Sequence, residues 1–149
     1  MKKGVHLYLS MILPIVIFLP VNGKLFGSDQ ATGAMGRLIC NGKPAAKVLV
    51  KLYDENISFF PDNLLATTYT DSDGYLKVEG YAYGFSWIDP KVVIYHDCNV
   101  ISTGSKRCFQ RITFYIPKNY INYGRRTKRY YNIKDVELGI KYDGQDWQC

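Results

Sequence analysis

Histidine is nearly absent. The 149 residues hold two, His6 and His96. A multi-histidine zinc site is therefore excluded once His6 departs with the N-terminal segment described below. Cysteine is scarce too, four in all, and no two stand in C-x-x-C spacing. That excludes zinc ribbons and dithiol redox motifs. Glycine-rich phosphate loops, a G-x-S-x-G elbow and paired carboxylates are missing. No long segment shows helical spacing, and no internal repeat or low-complexity tract occurs. These absences leave no support for an enzyme, a cofactor or a resident metal.

The one long apolar run comes first. "MKKGVHLYLSMILPIVIFLPVNG" has Lys2 and Lys3 near its start, an apolar stretch from Leu7 to Val21, and small residues at Val21 and Gly23. This is the layout of a secretory signal peptide. Pro14 and Pro20 interrupt the run, and it is short for a bilayer span of about 20 residues. The expected organisation is a signal peptide over residues 1–23, cut after Gly23 or secondarily after Gly27, and one domain over residues 24–149. No second apolar run follows, so the product is expected to be secreted and extracellular. Loss of Lys2 and Lys3 lowers the formal charge from +6 to +4. That mild excess suits an acidic surface partner or simple solubility and does not argue for nucleic acid.

Cys40, Cys98, Cys108 and Cys149 all fall in the expected mature chain. An even count in a secreted chain reads as two disulfides. Three pairings are possible. The favoured one joins Cys98 to Cys108 across a short loop and Cys40 to Cys149.

Strand signals recur between turn residues. They are "MGRLIC" (35–40), "KVLVKLYD" (47–54), "LLATTYT" (64–70) and "YLKVEGY" (75–81) as a hairpin across "DSDG", then "VVIYHD" (92–97) paired with "FQRITFYI" (109–116). "KNYINYG" offers one helical turn, and "YYNIKDVELGI" (130–140) one or two last strands. Asn41-Gly42 suits positive φ. Seven or eight short strands at this spacing argue for an all-β sandwich.

Four stretches invite a functional reading. "YHDC" sets His96, Asp97 and Cys98 side by side. On a strand, however, Val92, Ile94, His96 and Cys98 share one face and Asp97 takes the other, so Asp97 cannot orient His96 as a triad acid does. A bridged Cys98 has no thiolate to offer. His96 is thus expected to be a hydrogen-bonded residue at a strand end. "DSDG" (71–74) resembles a calcium loop, but its twelfth position is Ala82 rather than Glu, which leaves a turn. Asn56 heads the sole N-glycosylation sequon, "NIS", in a loop. "RRTKRYY" (125–131) is the densest charge run. Its plain reading is a solvated loop beside a guarded edge strand. The sharper readings are a convertase site at Arg126–Arg129, or a ligand patch of Arg125, Arg126, Lys128 and Arg129 with neighbouring tyrosines, facing anionic headgroups or glycans.

The segments "GRLICNGKPAAKVLVKLYDEN", "DNLLATTYTDSDGYLKVEG", "IDPKVVIYHDCN", "CFQRITFYIPKNYINYG" and "YNIKDVELGIKYDGQDWQC" cover nearly all of the mature chain. Together they resemble the transthyretin-like proteins secreted by nematodes. The resemblance implies a transthyretin-type (prealbumin-type) β-sandwich, four cysteines in two bridges, and an extracellular binding or bridging module. One branch of that family links exposed phosphatidylserine to a cell-surface receptor. Hydroxyisourate hydrolases of the same fold use paired His and Arg and a C-terminal Tyr-Arg-Gly-Ser, whereas this chain ends "GQDWQC". The expected function is a non-enzymatic module that contacts an extracellular protein or a lipid surface. The alternative is a carrier of a small apolar ligand in an oligomer cavity.

Overall fold

The computed structural model describes residues 27–56, 59–101 and 108–149. The expected signal peptide, most of the loop between Cys98 and Cys108, and the last two residues of the sequon lie outside them. Ten strands run through the described residues: β1 (Ser28–Cys40), β2 (Lys43–Pro44), β3 (Leu49–Asp54), β4 (Asn63–Tyr69), β5 (Tyr75–Gly84), β6 (Pro90–His96), β7 (Phe109–Tyr115), β8 (Asn122–Tyr123), β9 (Tyr131–Glu137) and β10 (Asp146–Gln148). Lys118–Tyr120 form a single 3-10 turn where one helical turn is expected.

The strands make two sheets. In sheet A, β1 is central and pairs with β2, β5, β8 and, in parallel, β9. Sheet B has the order β10-β7-β6-β3-β4. Alternation along the strands explains the stacking. Leu38, Leu76, Val78 and Val136 of sheet A face Val50, Leu52, Val92, Ile94 and Ile112 of sheet B, and all are buried. Each such side chain contributes about 1.5–3 kcal/mol by leaving water.

Three expectations need correction. β1 begins seven residues before "MGRLIC". Its first half, "SDQATGA", shows little large apolar alternation because the chain packs too closely there. A Cβ on Gly33 would meet the Val78 carbonyl at 2.7 Å and the Tyr130 ring at 2.9 Å. "LLATTYT" and "YLKVEGY" do not form a hairpin either. β4 pairs with β3 and β5 with β1, so the Asp71–Gly74 turn is a corner between sheets. Gly74, at φ 81°, carries the corner onto β1, where its carbonyl accepts from the Leu38 amide (2.8 Å). A side chain there would strike the Leu38 carbonyl.

The third correction is the disulfide pairing. The bridges are Cys40–Cys98 and Cys108–Cys149. The β6–β7 register, His96 opposite Gln110, would put position 98 opposite 108 if the strands continued. They stop. Val100 donates to the Asp97 carbonyl, and Asn99 adopts a left-handed φ of 60°. Cys98 thereby stays on the inner face, beside the end of β1 where Cys40 sits. Pairing of Gln148 with Phe109 then places Cys149 opposite Cys108. β10, which the sequence reading missed, supplies that register.

A basic and aromatic face on sheet A

No described cysteine is free, so the nucleophile reading of Cys98 fails. His96 is buried at 2 % exposure beside Val92 and Ile94, and Asp97 is exposed, as alternation requires. The expected hydrogen bond does not form. Among the described residues neither buried ring nitrogen has a partner. Burial holds the His96 pKa below its ordinary value, with the charge of Asp97 opposing weakly, so the ring is a neutral core residue. Asn56 is exposed, and its amide donates to the Pro61 carbonyl (2.7 Å).

The basic run occupies the loop between β8 and β9. This loop folds over the outer face of sheet A. The Gly124 amide donates to the Asp29 carbonyl (2.8 Å), and Thr127 Oγ1 donates to the Thr32 carbonyl (2.8 Å). Asn122 ties the loop to itself, donating to the Arg126 carbonyl (2.9 Å) and accepting from the Lys128 amide (2.9 Å). The four candidate cations are thus held on one short loop but are not equivalent. Arg125 pairs with Asp29 (2.7 Å) and lies 5.3 Å from the Tyr81 ring centroid. Arg129 donates to the Asn119 carbonyl and lies over Tyr120. The side chains of Arg126 and Lys128 are exposed and make no ion pair among the described residues.

The structure adds residues that the sequence reading did not single out. Along β5, Tyr75, Lys77, Glu79, Tyr81 and Tyr83 are all exposed and alternate with buried Leu76, Val78 and Ala82 and half-buried Gly80. Lys77 Nζ sits 4.2 Å from the centroid of Tyr130, whose hydroxyl donates to Glu79 (2.7 Å). Burial and that bond push the Tyr130 pKa up to about 12, and the same bond lowers Glu79. Arg37 lies 5.2 Å from the Tyr75 centroid and donates to the Asp73 carbonyl (2.9 Å). The signal for this row was the period-two pattern of "YLKVEGYAYG", but a strand pattern does not say which face lies open. Beside the row is an open groove of about 810 Å³, lined by Met35, Arg37, Tyr75, Lys77, Lys134 and Asp135 among others.

Sheet B presents a different outer face. Lys91 pairs with Glu55 (2.6 Å) and Asp62 (2.8 Å), and Arg111 pairs with Asp146. Its cations are mostly matched by carboxylates. On sheet A, Arg37, Lys77, Arg126, Lys128 and Lys134 make no such pair among the described residues, and the surplus positive charge collects there.

The Transthyretin-like family profile matches residues 35–117. Transthyretin-like protein 5 of Caenorhabditis elegans is 40% identical over 125 residues, covering 84% of this chain and 88% of its own. Transthyretin-like protein 33 of the same organism is 38% identical over 120 residues, covering 80% and 82%. Transthyretin-like protein 2 is 36% identical over 128 residues, covering 83% and 84%. Among solved structures, a 9R-lipoxygenase from Cyanothece PCC8801 overlays 73% of this chain and 16% of its own at a TM-score of 0.40 and 16% identity, too slight a likeness to support an argument. The profile match and the identity over most of the chain agree with the two disulfides and the sandwich: the protein belongs to the transthyretin-like family.

Proposed function

We propose that the protein is a secreted, non-enzymatic binding module that meets an anionic extracellular partner through the outer face of sheet A. The signal-peptide layout of residues 1–23 and the two disulfides support secretion. The observation that carries the binding reading is the contrast in charge pairing between the faces. Both faces rest cations on tyrosine rings, but on sheet B Lys91 and Arg111 are paired with carboxylates and Lys51 is not, whereas on sheet A most cations have no such pair among the described residues. A cation resting on an aromatic face keeps outward N–H donors while its position is fixed in advance, which lowers the entropy cost of binding.

The test is binding of the secreted protein to vesicles with and without anionic lipid and to immobilised anionic glycans. Replacement of Arg125, Arg126, Lys128 and Arg129 by alanine should weaken retention, most strongly at low salt where exposed charges are least screened. Arg126 and Lys128 should account for most of the loss, because Arg125 and Arg129 are already engaged within the protein. Unchanged binding in the fourfold variant, or no binding to any anionic surface, would overturn the reading.

A further inference from the structure

The cations of sheet A are arranged in a line. Arg37 lies opposite Tyr75 in the β1–β5 register, Lys77 follows two residues along, and Arg125 covers Tyr81. From Tyr75 to Tyr83 the strand advances about 27 Å at ~3.4 Å per residue. Arg126, Lys128 and Lys134 flank this line on the β8–β9 loop and on β9. Five carboxylates stand near it. Asp29 is paired with Arg125, Glu79 lies beside Lys77 and accepts from the Tyr130 hydroxyl, Asp71 and Asp73 form the turn at the Arg37 end, and Asp135 lines the groove with Lys134, so seven cations, Arg129 included, face five anions.

Beside the cations Tyr75, Tyr81 and Tyr83 keep about half of their surface exposed. A pyranose ring has an apolar C–H face that packs on a tyrosine ring, while its sulfate groups meet ammonium and guanidinium donors. The side chains suited to entering a bilayer gather at one end. Phe59, Phe60 and Phe85 are 94%, 75% and 81% exposed in the β3–β4 and β5–β6 loops; of these Phe85 meets the row, edge-on to Tyr83 at its end, and along the rest of it Met35 is the exposed apolar side chain. A membrane would need both kinds of side chain on one surface.

We infer that the outer face of sheet A binds a linear sulfated polysaccharide laid along β5, with Arg37, Lys77 and the Arg125–Arg129 loop contacting successive sulfates. This rests on the anionic-partner reading above and names the ligand class.

The experiment measures affinity of the secreted protein for size-defined heparin fragments, for the same fragments with sulfate removed, and for phosphatidylserine vesicles. Heparin binding should strengthen with fragment length until the row is covered, and should vanish for the desulfated chain. Arg37→Ala with Lys77→Ala should weaken heparin binding about tenfold. Arg37→Lys with Lys77→Arg should retain most of it, which separates loss of charge from loss of fold. Lys51→Ala, on the outer face of sheet B over Tyr95, should change nothing. Equal affinity for the desulfated chain, an unchanged Arg37/Lys77 variant, or an equal loss in Lys51→Ala would overturn the inference. Binding to vesicles alone would overturn it and leave the anionic-partner reading standing. Binding to neither vesicles nor heparin would remove both.

Discussion

The two ends of the sandwich are built differently. At the end formed by the close of β1, the Asp71–Gly74 corner and the start of β7, both disulfides lie together. Glu137 clamps the same end. Its carboxylate accepts from the amides of Asn41 (2.8 Å), Gly42 (3.0 Å) and Gly139 (2.8 Å), which holds its pKa below the usual carboxylate range. Thr70 Oγ1 donates to the Ala45 carbonyl (2.6 Å) and accepts from the Val48 amide (2.9 Å). At the other end there is no covalent link among the described residues. A small cluster of Ala82, Ile88 and Ile121 fills it, and buried Gln30 spans it. Around them Phe59, Phe60, Phe85, Tyr115 and Tyr123 stand more than half exposed. Restraint at one end lets the loops of the other carry apolar surface that a weakly held scaffold would not keep ordered.

The largest effect should come from the stapled end. The Cys40–Cys98 bridge closes a separation of 58 residues, and the chain-entropy account assigns about 4 kcal/mol to it. Replacing both cysteines by alanine should lower the urea midpoint accordingly. Cys108–Cys149 spans 41 residues and has nearly the same entropic value in that account. It should nevertheless cost less to remove, because β10 is exposed along its length and pairs with β7 alone, so the tail can fray while the sandwich persists. Equal losses for the two pairs would show that the C-terminal tail is part of the cooperative unit.

At the unstapled end the corresponding element is Gln30. Its amide donates to the Ser86 carbonyl (2.6 Å), and its oxygen accepts from the Ile88 amide (3.2 Å). Gln30→Ala removes both bonds and leaves backbone groups of the β5–β6 connection without partners. The expected cost is about 1–3 kcal/mol, with faster hydrogen exchange confined to residues 85–89. If exchange quickens instead near Cys40 and Cys98, the ends are coupled and the contrast between them is wrong.

What the sequence shows and what it hides follow the same division. The turn at Asn41-Gly42 was readable because positive φ has few residue choices, and both adopt it, at 52° and 75°. Of sheet B, β3, β4, β6 and β7 were readable as apolar runs between turn residues, β3 by the alternation of "KVLVKLYD", whereas the short exposed β10 was not. The sheet partners were not, because alternation gives a face without naming the neighbour. Hence "DSDG" read as a hairpin turn although it is a corner. The bridges were misassigned because spacing alone favours the nearest cysteine, while the turn at Asp97–Val100 decides the matter. Of the ligand patch, the local run Arg125–Arg129 was visible as a charge cluster. Arg37 and Lys77 reach the same face only through strand pairing and carry no local signal.

His96 is the one buried polar side chain of the stapled half with no partner, among the described residues. Its folded pKa is depressed, so the unfolded chain takes up the proton first as pH falls. Its contribution to stability is therefore fully present above the unfolded value near 6.5 and declines as pH drops from there toward the folded value. Leucine fills a similar volume without a polar atom. His96→Leu should be neutral to about 1 kcal/mol more stable at pH 7.5 and should flatten the urea midpoint between pH 7 and pH 5. An equal or steeper loss on acidification in the variant would mean that another group governs acid sensitivity in this range.

The smallest change in stability should come from the most exposed apolar side chains. Phe59 and Phe60 are 94% and 75% exposed and therefore hold little of the fold together. Phe59→Ser with Phe60→Ser should move the unfolding free energy by no more than about 0.5 kcal/mol. Retention on a hydrophobic-interaction column should nevertheless fall, since two phenyl rings leave the surface. Attachment of a glycan at Asn56, in the same loop, should lower retention in the same direction by covering them. A double variant that unfolds early would place the phenylalanines in the support of the unstapled end. A stable variant with reduced retention marks them instead as surface that the disulfides at the far end allow the molecule to expose.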